Sequence, residues 1–387
     1  MQVVRVGEAV ASEALARVGA DEVGHKIMAQ KAQMYYFALH NLEYVSSAIL
    51  KQEALSVGAE YATPREQILY QGEKVGLLIA NKSQLKRLIA KLSTQSFGLR
   101  SLATALKSHA RAPQKAQGQA RIMAIVNVTP DSFYAPSRKS AKEAIERIYE
   151  LLEEGVAYID VGAASSRPGS EIIESSEEIA RLREVCAEID SKQLYKRARF
   201  SIDTYNTQTA EFALKSGFSI INDVSGFSNP QMAQVNAAFG ASAIIMHSKG
   251  TPKVMQTLTH YDNLFGEIDE FFARKIDEVL QAGGREIILD IGFGFAKNDA
   301  QNLALVSHLA HFKHFGYPLL LGASRKNTLG QITGRQAQDR LSATLTLHLL
   351  GVQNGADILR VHDSKEHSDM LKVYGALRTN TLKQGLL

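Results

Sequence analysis

IMAIVNV (Ile122 to Val128), AYIDVG (Ala157 to Gly162) and FSIDT (Phe200 to Thr204) open a series of eight apolar runs whose reading decides the fold. SIINDV (Ser219 to Val224), SAIIMH (Ser242 to His247), EIILDI (Glu286 to Ile291), PLLLGAS (Pro318 to Ser324) and ADILRVH (Ala356 to His362) complete it. The runs are apolar throughout instead of alternating, as expected of strands buried on both faces in a parallel sheet. Helical patterns lie between them. In AKEAIERIYELLEEG, Ala141, Ala144, Ile145, Ile148, Leu151 and Leu152 recur at helical spacing and Gly155 supplies the stop. Eight strand and helix units within roughly 270 residues predict an α/β fold of the (β/α)8 TIM-barrel type. A doubly wound open sheet is the alternative architecture, but it commonly uses fewer strands. GFGFAK (Gly292 to Lys297) also lacks the third glycine of a dinucleotide fingerprint.

The whole chain has 387 residues, which leaves a remainder beyond one barrel. SHARAPQKAQGQ (Ser108 to Gln119) has no periodicity and contains Pro113 and Gly118. The reading is therefore a small α/β extension over residues 1–112, a linker over 113–120 and the barrel domain over 121–387. In the extension, HNLEYVSSAILKQEALSVGAEY reads as one long amphipathic helix, KVGLLIA (Lys74 to Ala80) as a strand and KSQLKRLIAKLS as a second helix. It contains no nucleophile elbow, phosphate loop or metal spacing, so a structural or docking role is expected there.

Composition narrows the class further. Hydrophobic residues make up 45% and charged residues 22%, values of an ordinary soluble globular protein. The longest apolar runs fall far short of the roughly 20 residues a membrane-spanning helix needs, and the amino terminus has acids where a secretory apolar core would lie. Cys186 is the single cysteine and sits in an amphipathic helical pattern, the setting of an inert thiol in a cytoplasmic protein. Residues 1–118 carry 15 Lys and Arg against 9 Asp and Glu, so the net charge of +4 comes from the extension. Those basic residues are scattered and lack interleaved aromatics, which reads as a solvated helix face; no nucleic-acid or membrane partner is expected.

Each apolar run ends in polar side chains: Asn127, Asp160, Asp203, Asn222 with Asp223, His247, Asp290, Ser324 with Arg325 and Lys326, and Arg360 with His362. A single such ending is often only a cap or turn residue. Eight on eight strands describe the carboxyl-terminal face of a barrel, where such enzymes keep their active sites. No Gly-x-Ser-x-Gly elbow accompanies Ser324, and no His/Cys cluster has zinc spacing. A glycosidase pair of carboxylates would not need Lys326, Arg360 and His362 converging with it. Acids and an amide suit a planar heterocycle rich in N–H donors, while Arg, His and Asn suit an anionic group such as a phosphate. His247 has two readings, a wall of the heterocycle subsite or a structural strand end, and the second is preferred.

IVNVTPDSF (Ile125 to Phe133), SSRPGS (Ser165 to Ser170), SIDT (Ser201 to Thr204), IINDVSG (Ile220 to Gly226), MHSKGTP (Met246 to Pro252), LDIGFGFAKN (Leu289 to Asn298), LGASRK (Leu321 to Lys326) and RVHD (Arg360 to Asp363) together resemble the bacterial dihydropteroate synthases. The resemblance implies a transferase of folate synthesis that joins 6-hydroxymethyl-7,8-dihydropterin pyrophosphate to p-aminobenzoate, releasing pyrophosphate, with Mg2+. It implies that Asp203, Asn222, Asp290 and Lys326 hold the pterin. Asn127, Arg360 and His362 would bind the pyrophosphate, Asn127 with the metal. Ser166, Arg167 and Pro168 would form the p-aminobenzoate pocket with Phe295 as a further wall. Asp203, Lys326, Arg360 and His362 are the expected catalytic set, and a homodimer is expected. The chain departs from the family at Tyr134 to Ser137, where a Ser-Asp-Gly-Gly turn is usual, and at Ser165-Ser166, Ile291, Ala296 and Asn327. A pterin-dependent methyltransferase shares the barrel and pterin subsite but would lack the Ser324–Lys326 and Arg360/His362 anion subsite. A silent pterin sensor would not need the leaving-group residues.

Overall fold

A computed structural model of the chain describes residues 8–65, 75–110, 120–128, 138–164, 173–250 and 254–380, with Val3 and Val6. Contacts divide the chain into two compact units, Met1–Ala112 with Tyr374–Leu387, and Pro113–Val373.

The first unit runs α1 (Glu8–Arg17), α2 (Glu22–Ala32), β1 (Met34–His40), α3 (Tyr44–Ser56), β2 (Glu60–Ala62), β3 (Val75–Asn81), α4 (Lys82–Leu92) and α5 (Leu99–His109). Its three strands form an antiparallel sheet in the order β1-β3-β2. A capping box begins α4: Gln84 N–H donates to Asn81 Oδ1 at 2.9 Å, and Asn81 N–H donates to Gln84 Oε1 at 2.8 Å. Leu85, Leu88 and Leu92 then fall on one face and pack with Leu50, Leu78, Leu99 and Leu106 in the core of the unit. The long helix read from His40 to Tyr61 is shorter, because Gly58 turns the chain at φ 77° and the segment beyond it is β2. β1 escaped the sequence reading: Tyr35, Phe37 and Leu39 of MYYFALH face the core and Tyr36, Ala38 and His40 face outward, but Tyr36 and Ala38 are not polar, so the sequence itself shows no alternation.

The second unit is a closed barrel of eight parallel strands in the order β10-β11-β4-β5-β6-β7-β8-β9. These are β4 (Arg121–Asn127), β5 (Tyr158–Gly162), β6 (Arg199–Asp203), β7 (Ile220–Asp223), β8 (Ser242–Met246), β9 (Ile287–Asp290), β10 (Leu319–Leu321) and β11 (Ile358–Val361). Each overlaps one of the eight expected runs. The helices are α6 (Arg138–Glu153), α7 (Ser175–Ser191), α8 (Thr207–Lys215), α9 (Pro230–Phe239), α10 (Leu264–Gln281), α11 (Asp299–Ser307), α12 (Asn327–Thr333), α13 (Leu341–Gln353) and α14 (Ser364–Asn380). The expected (β/α)8 barrel is therefore the observed fold.

Strand side chains alternate between two cores. Met123, Tyr158, Ile220, Ile244, Ile288, Leu320 and Ile358 point inward and form an apolar plug. Their neighbours Ala124, Ile159, Ile221, Ala243, Ile245, Leu289, Leu321 and Leu359 point outward under the helices. This double burial is why the strands read as continuous apolar runs. The sequence reading took the barrel on to Leu387, whereas the barrel unit ends at Val373. On α14 the buried positions stop at Leu371, and Val373 and Leu377 are 62% and 64% exposed. Among the described residues no helix is long and apolar enough to cross a membrane.

Phe200 on β6 is fully buried and packs on Phe218 with ring centroids 5.6 Å apart. Phe200→Ala is expected to destabilise the barrel by about 3–5 kcal/mol through lost transfer energy and a residual cavity. Urea unfolding followed by circular dichroism reads this, and a change under about 1 kcal/mol would show that the outer core collapses around the gap.

Candidate active site

One inward position beyond the apolar plug, the barrel interior turns polar. The side chains two residues on from plug members include Asp160, Asn222, Asp290 and Arg360, and Asp203 pairs in register with Asn222. Asp160 is 0% exposed, and a buried carboxylate needs a partner. Arg360 provides one. Its Nε donates to Asp160 Oδ2 at 2.5 Å and its terminal nitrogen donates to Asp203 Oδ2. Asn222 Nδ2 donates to the same Asp160 oxygen at 3.1 Å. A single guanidinium thus ties β11 to β5 and β6. Burial pushes the Asp203 carboxyl up to about 7, with Arg360 opposing the shift and Asp160 adding to it. Against the pull of burial, Asp160 and Asp203 hold Arg360 in its charged form.

Asp290 ends β9, and its Oδ1 accepts the Gly292 N–H at 2.8 Å. The turn requires glycine there: φ is +64° and a Cβ would lie 1.9 Å from the His247 carbonyl oxygen. Ala296 closes the turn in the left-handed region at φ 49°; such a residue costs roughly 1–2 kcal/mol. Burial raises the Asp290 pKa, opposed by the Gly292 N–H, then by Arg360, Lys326 and Lys297. Phe295, on the same turn, is buried, and Lys326 Nζ lies 4.2 Å from the centroid of its ring, a cation–π contact.

Lys326 follows Arg325, which adopts a left-handed φ of 56° and forks onto Asp363 at 2.9 Å (Nε to Oδ2) and 2.5 Å (terminal nitrogen to Oδ1). Behind this fork runs a chain of buried bonds. Ala323 N–H donates to His348 Nε2 at 3.2 Å, His348 Nδ1 meets His367 Nε2 at 2.8 Å, and His367 Nδ1 meets the Asp363 carbonyl at 2.6 Å. Taken in that order, both rings are neutral Nδ1–H tautomers. Burial lowers the pKa of each, driving His348 well below its usual value.

His362 lies one residue past β11 with its ring at the rim, where Nδ1 is 2.9 Å from Ser324 Oγ. Desolvation, and then the Arg360 charge, hold the imidazole down at about 4. Asn127, the last residue of β4, is exposed at the same mouth. Arg360 and His362 therefore part company despite their shared strand parity, one drawn inward by acids and the other left at the rim. His247 is buried, 2.9 Å from Lys297 Nζ through Nδ1 and edge-on to Phe271 at 4.9 Å, a packed position in keeping with the structural reading. Asn327 is exposed and accepts from Arg340 at 3.3 Å. Ser166, Arg167, Pro168 and the Tyr134–Ser137 segment lie outside the described residues.

Sequence reasoning named Asp160 only as a strand ending and gave Lys297 no part. For Asp160 a signal was present, since a carboxylate inside an all-apolar strand demands a cation from another strand. For Lys297, a lysine at the end of a glycine-rich turn, no signal in the sequence separates a buried cation from a surface one.

A family model described as pterin binding enzyme matches residues 123–362. The bifunctional dihydropteroate synthase/dihydropteroate reductase of Helicobacter pylori is 50% identical over 378 residues, covering 97% of this chain and 99% of its own length. The dihydropteroate synthase of Escherichia coli is 36% identical over 258 residues, 66% of this chain and 90% of its own. Among solved structures, the Thermus thermophilus dihydropteroate synthase in complex with 4-aminobenzoate superposes with a TM-score of 0.60 at 33% identity, covering 70% of this chain and 98% of that one. Since the matched span is the barrel whose inward layer carries Asp203, Asn222, Asp290 and Arg360, the chain belongs to the pterin-binding enzymes, among the dihydropteroate synthases.

Proposed function

We propose that the barrel mouth holds the dihydropterin ring on Asp203, Asn222, Asp290 and Lys326, and its diphosphate on Asn127, Arg360 and His362. The observation that carries this reading is the single inward layer in which three buried carboxylates, an amide and a guanidinium converge. A dihydropterin presents an exocyclic amine and ring N–H groups to Asp290, and ring oxygen and nitrogen acceptors to Lys326. Each charge-assisted bond is worth about 1.5–3 kcal/mol when it is made.

In the reaction the methylene carbon loses its bond to the diphosphate oxygen and gains one to the aromatic amine nitrogen, and the amine's surplus proton passes to solvent. As the carbon–oxygen bond lengthens, positive charge develops on the pterin, and Asp203 stabilises it. Arg360 and His362 face the departing diphosphate. His362 is neutral at physiological pH and serves as a hydrogen-bond donor there, not as a charge. Asn127 offers one exposed amide oxygen, while Asp160, Asp203 and Asp290 are each already bonded through one oxygen to Arg360 or the Gly292 N–H. That donor set fits a Mg2+ ion, which Asn127 would hold. When bound, the ion offsets the charge of the leaving group. In this reading Ser166, Arg167, Pro168 and Phe295 enclose p-aminobenzoate, the protein works as a cytoplasmic homodimer, and it takes no nucleic-acid or membrane partner.

A second reading concerns residues 1–112. The relative that matches 97% of this chain is named for a reductase as well as a synthase, whereas relatives matching 66% of it, in length a barrel alone, are named synthases. The added unit is thereby associated with reduction of the dihydropteroate product by an external two-electron donor.

Asp290→Asn keeps the shape but turns an amide toward the pterin donors; dihydropterin pyrophosphate affinity is expected to fall about tenfold or more by calorimetry. Unchanged affinity would remove Asp290 from the site. Arg360→Lys keeps the charge and loses the fork, and is expected to lower kcat/KM by about 10–100-fold. It should weaken the diphosphate ester more than bare hydroxymethyl pterin; equal weakening would mean that Arg360 acts through Asp160 and Asp203 alone. For the second reading, the full chain should consume 7,8-dihydropteroate anaerobically with reduced nicotinamide or reduced flavin. No consumption with either donor would dismiss it.

A further inference from the structure

Lys297 ends the turn that follows β9 and is 3% exposed. Its ammonium faces four acceptors: the Phe295 carbonyl at 2.9 Å, the Gly292 carbonyl at 3.2 Å, the His247 carbonyl at 3.4 Å and His247 Nδ1 at 2.9 Å. Among the described contacts no carboxylate touches it. In its charged form the lysine has three N–H donors for this cage of acceptors, with His247 as the Nε2–H tautomer. Burial works against that charge and presses the lysine down to about 7, while Asp290 opposes the fall and Lys249 adds to it. A buried cation without a contacting anion is costly to keep, so its position calls for a reason.

That reason lies in what the cage holds. Two of the three carbonyls belong to the turn that carries Asp290's hydrogen-bond partner Gly292 and the ring of Phe295, and the third belongs to the end of β8. Across the same joint, His247 N–H donates to the Asp290 carbonyl at 2.8 Å. Asn302, on α11, supports the turn from outside: its Oδ1 accepts the Gly294 N–H at 2.8 Å and its Nδ2 reaches the Lys297 carbonyl at 3.4 Å.

We propose that Lys297 is a positioning residue for the pterin subsite: its caged ammonium fixes the Gly292–Phe295 turn and favours the ionised form of Asp290. The proposal rests on the reading of Asp290 as a pterin acceptor. Asp290 is faced by Arg360 from β11, by Lys326 from the start of α12 and by Lys297 from its own turn, with the Gly292 N–H on Oδ1. Lys297 is faced by Asp290, by Lys249 and by the His247 ring. Of the three cations, Arg360 and Lys326 are in the proposed substrate-binding set and Lys297 is not, so it can act on Asp290 without contacting the ligand.

Lys297→Gln keeps two N–H donors for the carbonyls and removes the charge. The raised Asp290 must be ionised to accept from the pterin, so binding weakens as pH falls through its pKa. Calorimetry of dihydropterin pyrophosphate over a pH series is expected to show the part of the acid-side loss that depends on Asp290, the part absent from Asp290→Asn and so distinct from the titration of Asp203, setting in at higher pH in the variant, with affinity roughly tenfold lower on the acid side. In an Asp290→Asn background the same substitution should move no midpoint. An unmoved midpoint in Lys297→Gln, with Asp290→Asn still impaired, would overturn the proposal and leave the pterin reading intact. If Asp290→Asn itself binds normally, the pterin reading fails first. Loss of the fold in both Lys297→Gln and Lys297→Met would make the lysine a cation of barrel stability and would also overturn it.

Discussion

A guanidinium shared between two carboxylates inside a closed barrel is the constraint on which the site depends. Asp160 and Asp203 sit buried on neighbouring strands inside the barrel, where a carboxylate without a partner is costly. Arg360 reaches both from β11. Removing one member of such a group commonly costs about 3–5 kcal/mol, because the charge left behind is buried and uncompensated. The network therefore earns little net stability but fixes which strands face one another at the top of the barrel and where a polar ligand can enter.

Electrostatic balance then shapes the chemistry. The inward layer gathers acids, and its cations are taken up partly by those acids. Histidines near the mouth contribute no charge: His362 is held near 4 at the rim, and burial keeps His348 neutral. Charge at the mouth comes from Arg360 and Lys326, and the Arg325–Asp363 fork, with the two-histidine chain behind it, sets the backbone that carries Lys326. The left-handed backbone at Arg325 and Ala296 shows local strain carried where the site is built.

The barrel was legible because burial on both strand faces leaves continuous apolar runs, and each run broke into polar residues where the mouth begins. Asp203, Asn222, Asp290 and Arg360 came together as the strand-end reading expected. What was hidden were pairings across the barrel, such as Asp160 with Arg360, since partners 200 residues apart leave no local pattern. Lys297 was hidden for another reason: only the fold turns its side chain inward among carbonyls. In the first unit, β1 turns Tyr35, Phe37 and Leu39 to the core and Tyr36, Ala38 and His40 outward, but Tyr36 and Ala38 are not polar, so the sequence carries no apolar–polar alternation to mark it.

A crystal structure of the chain with dihydropterin pyrophosphate bound tests the central claim most directly. The account requires the pterin N–H edge within about 2.7–3.0 Å of the Asp290 carboxylate, with Asn222 at the ring and the diphosphate toward Asn127 and His362. A pterin seated elsewhere in the barrel, with Asp290 still bonded only to the Gly292 N–H, would contradict it.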